Sequence, residues 1–110
     1  IVSGFHHDHQ KKLLHKNFYK LKQIKKMHGG AYRGIISVGG KSYGTKSFFP
    51  AWWDDKKIVM SIIESINNPV KKPSWDSMKQ CWTLEGRSRD GVTIRSIVSQ
   101  KAFIVTAFPV

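Results

Sequence analysis

The sequence predicts an α+β domain, with N-terminal helices followed by a mainly antiparallel sheet gathered at the C-terminus. Three patterns carry that expectation. From residue 91 to the end, Val92, Ile94, Ser96 and Val98 share one parity while Thr93, Arg95, Ile97 and Ser99 share the other. Period-two alternation rich in β-branched residues marks half-buried strands. Over residues 11–27, Leu14, Phe18 and Leu21 fall at i, i+4 and i+7, with Leu13 and Ile24 beside them, which is helical spacing. Val59, Ile62, Ile63 and Ile66 repeat at i, i+3, i+4 and i+7, predicting a second helix with that stripe buried.

In chain order, the first ten residues hold Gly4 and the run His6-His7-Asp8-His9. Clustered histidines can bind metal, but no Cys or further acid follows at metal-ligand spacing, so a polar start without a metal site is expected. On the first helix, Lys11, Lys12, Lys16, Lys20, Lys22, Lys25 and Lys26 cover the faces left by the apolar stripe, and His15 lies next to Leu14. Such a helix can lie on a membrane or a phosphate backbone; the globular pattern downstream makes its stripe a core face instead. His28-Gly29-Gly30-Ala31-Tyr32-Arg33-Gly34 breaks the helix, because adjacent glycines permit positive φ. Residues 35–38 read as a short strand. Residues 41–46 read as a loop able to offer Lys41 and Lys46 to phosphate.

The aromatic run from Phe48 to Trp53 leads into the second helix, where Asp54 and Asp55 suit the positive end of the helix dipole. At least one of Trp52 and Trp53 should anchor the core, although either ring could stack on a base. Asn67-Asn68-Pro69 ends the helix. A loop with Lys71 and Lys72 follows, then a strand over 79–85 and a turn over 86–91 into the closing hairpin. Ser99-Gln100-Lys101 turns that hairpin, and Pro109 should end its ladder for want of an N–H. Thr106 and Phe108 share parity, so a hydroxyl and an aromatic ring stand side by side.

Composition narrows the partner. At 110 residues the chain is one domain with room for a core. Nineteen Lys and Arg against seven Asp and Glu give a formal charge of +12, which predicts attraction to RNA, DNA or an acidic protein. The single Cys81 rules out an internal disulfide. No run is apolar enough to read as a membrane span or a signal peptide. The start at Ile-Val-Ser suggests a module excised from the C-terminus of a longer protein.

The order of the pieces carries a resemblance. Phe49-Pro50-Ala51-Trp52-Trp53-Asp54-Asp55-Lys56-Lys57-Ile58, then Asn67-Asn68-Pro69, then Trp82, then Asp90-Gly91-Val92-Thr93-Ile94-Arg95, then Ile104-Val105-Thr106-Ala107-Phe108-Pro109 resembles the bacterial EndoU nuclease family across roughly the last two-thirds of the chain. The resemblance implies an EndoU-like nuclease fold of the barnase/EndoU/RelE-type superfamily over residues 1–110. It implies metal-independent cleavage of RNA, plausibly tRNA, by 2′-hydroxyl attack, leaving a 2′,3′-cyclic phosphate and needing no cofactor. One histidine takes the 2′-hydroxyl proton and another protonates the leaving 5′-oxygen, work suited to imidazole because it titrates near neutrality. Such domains sit at the C-terminal tips of secreted polymorphic or contact-dependent inhibition toxins. Action in the cytoplasm of a target bacterium and a cognate acidic immunity protein are therefore expected.

In the family two histidines lie roughly fifteen residues apart, the second after a Gly-Gly pair. His15 matches the first. Gly29-Gly30 is followed by Ala31, with Tyr32 next if the spacing slips by one. Three accounts are open: a deliberate histidine-to-alanine change at Ala31, of the kind made to express a toxic nuclease; transfer of the role to His28; or a natural inactive relative. The first is preferred. Thr106 matches the family's hydroxyl near base and phosphate, and Phe108 replaces its Tyr, keeping a stacking face and losing a hydroxyl. Lys79 and Lys46 are the nearest candidates for a third catalytic Lys. The alternative from another class is a non-catalytic basic RNA-binding domain, with salt-sensitive binding and no cleavage.

Overall fold

The alternating C-terminal residues pair as expected in a computed structural model, whose described residues run from 20 to 110. Four antiparallel strands form one sheet in sequence order: β4 (Ser74–Asp76), β5 (Cys81–Arg87), β6 (Thr93–Ser99) and β7 (Ile104–Pro109). Glu85 lies opposite Arg95, Thr83 opposite Ile97, and across the next seam Arg95 faces Phe108 and Ile97 faces Thr106. Ala102, at φ 65°, helps turn the closing hairpin. Pro109 does not end the pairing: it sits opposite Ile94, and the Val110 N–H beyond it donates to the Thr93 carbonyl at 2.9 Å.

The N-terminal part departs from expectation. Residues 20–26, placed in a helix by the apolar spacing, are instead strand β1 (Lys20–Lys26). Residues 41–46, read as a loop, belong to strand β3 (Lys41–Phe48). With β2 (Tyr32–Val38) between them they form an antiparallel three-stranded sheet in the order β1-β2-β3. Pairing explains both corrections. Lys20-Leu21-Lys22 also alternates in period two, and β2 supplies the ladder that a lone basic segment lacks. Gly39 and Gly40, both at positive φ, turn β2 directly into β3, as two-residue hairpin turns require. Residues 11–19, the rest of the expected first helix, lie outside the described residues, as does His15.

Among the described residues there is one α-helix, α1 (Asp55–Asn67), and it sits mid-chain between the two sheets in sequence, not at the N-terminus. Asp54 caps it, its Oδ1 accepting from the Lys57 N–H at 2.8 Å. Of the expected stripe only Ile62 is buried. Ile58, Ser61, Ile62 and Ser65 are buried, while Val59, Ile63 and Ile66 are exposed. Close approach to β5 is the reason. A Cβ on Gly86 would lie 1.6 Å from the Ser65 carbonyl oxygen, so helix and strand backbones nearly touch there. Only the small Ser61 and Ser65 fit the centre of that contact. The core gathers Ile58 and Ile62 with Ala31, Phe49, Trp53, Val92, Ile94 and Ala107. Trp53 is thus the anchor, whereas Trp52 is 67% exposed. Ser47 Oγ donates to the Pro109 carbonyl at 2.7 Å and ties the two sheets together. No helix among the described residues is long and apolar enough to cross a membrane.

Candidate active site

Residues paired directly across antiparallel strands share a side of the sheet. Ala107 and Ser96, with Ile94 and Pro109, therefore form the face packed beneath α1, and all four are buried. The opposite face receives Thr83, Glu85, Arg95, Ile97, Thr106 and Phe108. It bears a hollow of about 410 Å³ lined by Lys71, Lys72, Ser74, Lys79, Thr83, Glu85, Arg95, Ile97 and Phe108. Four cations surround a single carboxylate there.

Glu85 organises the hollow. It is 8% exposed. Its Oε1 accepts from Arg95 Nε at 2.8 Å and lies 2.6 Å from Nη2, and its Oε2 lies 3.3 Å from Lys71 Nζ. The hydrogen bond from Arg95 comes first in holding this carboxyl below the ordinary carboxylate range; burial pushes the other way, and Lys71 adds to the lowering. Arg95 in turn stands 5.9 Å from the Phe108 ring centroid, so one guanidinium joins the carboxylate to the aromatic surface. The result is a fixed positive field beside an aromatic face and the Thr106 hydroxyl. That set can hold a phosphodiester and stack a base.

The sequence-predicted site residues divide. Phe108 and Lys79 line this hollow, and Thr106 pairs with Ile97, which also lines it. Lys46 is exposed on β3 opposite Gly34, next to the Ser47 that bonds Pro109. Tyr32 is buried, stacks on Phe48 with centroids 5.2 Å apart, and lines a different hollow, with Met27 and Trp52. His28 is the one histidine among the described residues. Its Nε2 lies 3.0 Å from where a Cβ of Gly91 would be. His28 thus lies beside Gly91, in the turn before β6, whereas Thr106 pairs with Ile97 within β6. Ala31 is buried in the core, and its carbonyl accepts from the Met27 N–H at 2.8 Å.

Sequence reasoning had left Lys71, Lys72, Thr83, Glu85 and Arg95 out of the site. The turn over 86–91 held the usable signal, since folding the chain there sets Glu85 opposite Arg95. Lys71 and Lys72 carried none, because their loop is placed by Pro69 bridging to Gly86 and by the Val70 N–H donating to the Glu85 carbonyl at 3.0 Å.

The family model for bacterial EndoU nucleases matches residues 1–110. The chain belongs to the bacterial EndoU nuclease family. Neither a curated protein nor a solved structure matches it. Membership makes this basic face that of a nuclease domain, and it bears on position 31. Ala31 belongs to the core cluster and also lines a hollow of about 430 Å³ with Met27, Tyr32 and Trp52, so an imidazole there would have to enter one or the other. Ala31→His should cost about 1–3 kcal/mol by overpacking, read as a thermal midpoint lowered by roughly 10 °C. An unchanged midpoint would show space at that position and return it to consideration as a histidine slot.

Proposed function

We propose that this EndoU domain is a metal-independent endoribonuclease toxin that cleaves RNA, plausibly tRNA, in the hollow on the outer face of its C-terminal sheet. The observation that supports it is the convergence of Phe108, Lys79, Arg95 and the Thr106 strand partner Ile97 at one cationic hollow, in a chain whose family is one of nucleases. In this reading Phe108 stacks on the base of the nucleotide attacked. Thr106 donates to a phosphate oxygen, and Lys79 with Lys71 and Lys72 stabilises charge as it builds on the phosphorane. The 2′-oxygen attacks phosphorus, the bond to the 5′-oxygen breaks, and the 2′,3′-cyclic phosphate and a 5′-hydroxyl leave.

Two imidazoles move the protons. His15 is the first. For the second, Ala31 carries no imidazole, so His28 and the histidines of the N-terminal segment, His6, His7 and His9, are the candidates. A toxin also needs a neutraliser in its producer; an acidic immunity protein suits the +12 charge. Delivery as the tip of a larger secreted protein into a target cytoplasm completes the proposal.

The test is incubation with total RNA in chelator, followed by end analysis. Cyclic-phosphate ends are expected. Thr106→Ala should lower kcat by about 10²-fold, and Phe108→Ala should weaken substrate binding by about 1–3 kcal/mol, mostly in KM. RNA left intact by the protein, but bound in a salt-sensitive manner, would favour the non-catalytic RNA-binding alternative.

A further inference from the structure

Charge in this chain is segregated by sheet. Residues 20–48 contain Lys20, Lys22, Lys25, Lys26, Arg33, Lys41 and Lys46 and not one acid; after Asp8 the next acid is Asp54. The four ion pairs among the described residues, Lys57–Asp90, Lys71–Glu85, Arg89–Glu64 and Arg95–Glu85, all lie at or beyond Lys57. The three-stranded sheet therefore carries uncompensated positive charge.

Register sets four of those seven cations in a row on one side, with Lys26, Lys41 and Lys46 on the other. Lys20 sits opposite Ser37, Lys22 opposite Ile35 and Lys25 opposite Arg33, all odd positions of β2. Strict alternation along β1 would have put Ile24 after Lys22 on this face and turned Lys25 away. A bulge between Lys22 and Lys25, with Gln23 at φ 52°, exchanges them. Lys20, Lys22, Lys25 and Arg33 then share one face and are exposed, joined by the exposed hydroxyls of Ser42 and Thr45 from β3. Ile24 instead joins Met27, Tyr32 and Trp52 around a separate hollow. The two sheets are tied together beside this row, where Ser47, opposite Arg33, bonds to the Pro109 carbonyl, one residue from Phe108.

We propose that the Lys20–Lys22–Lys25–Arg33 face is a second RNA-binding surface, which grips the phosphate backbone of the strand running away from the cleavage hollow. Alternate residues along a strand recur every ~6.6 Å, and cations set in such a row, with the Ser42 and Thr45 hydroxyls across β2 on the same face, suit a run of phosphates rather than one anion. The surface reads no base, so it adds affinity and position without sequence preference. The inference rests on RNA being the substrate of the hollow.

The test is binding of an RNA hairpin with a uridine-rich loop across a salt series. Lys22→Gln/Lys25→Gln is compared with Lys56→Gln/Lys101→Gln, which removes equal charge from α1 and from the β6–β7 turn. The first pair should weaken binding about tenfold near ~0.1 M salt and reduce the log–log salt slope by about 2, while the second pair changes affinity less than about twofold. Equal losses from both pairs would mean that total charge alone governs binding and would overturn the surface. Unchanged binding by the first pair would overturn it too, and capture of polyglutamate lost in that same protein would hand the face to an acidic protein partner. End analysis of RNA cleaved by the unaltered protein judges the cleavage site separately, so either idea can fail without the other.

Discussion

Gly86→Ala is expected to be the most damaging single-methyl change in the described domain. The added Cβ would fall 1.6 Å from the Ser65 carbonyl oxygen, 2.6 Å from its carbonyl carbon and 2.8 Å from the Asn68 carbonyl oxygen. All three are backbone atoms, so no side chain can rotate away. Nor can the helix end lift freely. The Arg87 N–H donates to the Asn68 carbonyl at 3.0 Å, and Asn68 Nδ2 donates to the Arg87 carbonyl at 3.2 Å. Moving α1 off β5 would break those bonds and open the Ile58–Ile62 contact with the sheet. A loss of about 4 kcal/mol is expected, above the usual overpacking range because backbone must shift. At ~4–8 °C per kcal/mol, the thermal midpoint would fall by about 20 °C or more. Gly39→Ala is the control. It meets open space and suffers only its φ of +58°, a cost of about 1 kcal/mol. Midpoints lowered equally by the two substitutions would show that α1 does not press on β5 as described.

Arg95→Met should be the second largest effect, and it should depend on pH. The substitution keeps the aliphatic stem beside Phe108 but strips Glu85 of its closest cation, leaving a nearly buried carboxylate with Lys71 at 3.3 Å. Removing one partner of a well-buried pair costs about 3–5 kcal/mol. Arg95 is 39% exposed at its side chain and Lys71 remains, so about 2 kcal/mol is expected near pH 7. The pairing holds Glu85 below its ordinary value of 4.5 in the folded chain. A carboxyl depressed in this way adds stability that is present above 4.5 and disappears as pH falls through the folded value. In Arg95→Met only Lys71 is left to answer the burial that opposes ionisation, so the carboxyl takes up its proton at higher pH. Urea melts should therefore show the two proteins far apart at neutral pH and converging as pH falls below 4.5. A gap that stays constant across that range would mean that Arg95 stabilises through packing alone.

How much could be read in advance varied by region, for physical reasons. The closing hairpin was legible because alternation, β-branching and a tight turn all act within a few neighbouring residues. The start of α1 was legible for the same reason: Asp54 accepts from the Lys57 N–H three residues on, a wholly local bond. The family motif followed, since its parts are short runs in order. The first sheet was not legible. Over Lys20–Lys26 the helical and strand periods both fit, and the choice was made by a partner strand beginning at Tyr32.

The buried face of α1 was misread because hydrophobicity favoured Val59, Ile63 and Ile66, yet closeness to β5 required serines. The cationic hollow assembles from Lys71, Lys79, Thr83, Arg95 and Phe108, which are spread across five segments and share no spacing. Local chemistry along the chain was thus enough for the class, the capped helix, the C-terminal sheet and the family. The docking of helix on strand, the bulge that sorts Lys25 from Ile24, and the Glu85–Arg95 pair came from contacts between distant segments. Their energies depend on atoms that no short window of sequence contains.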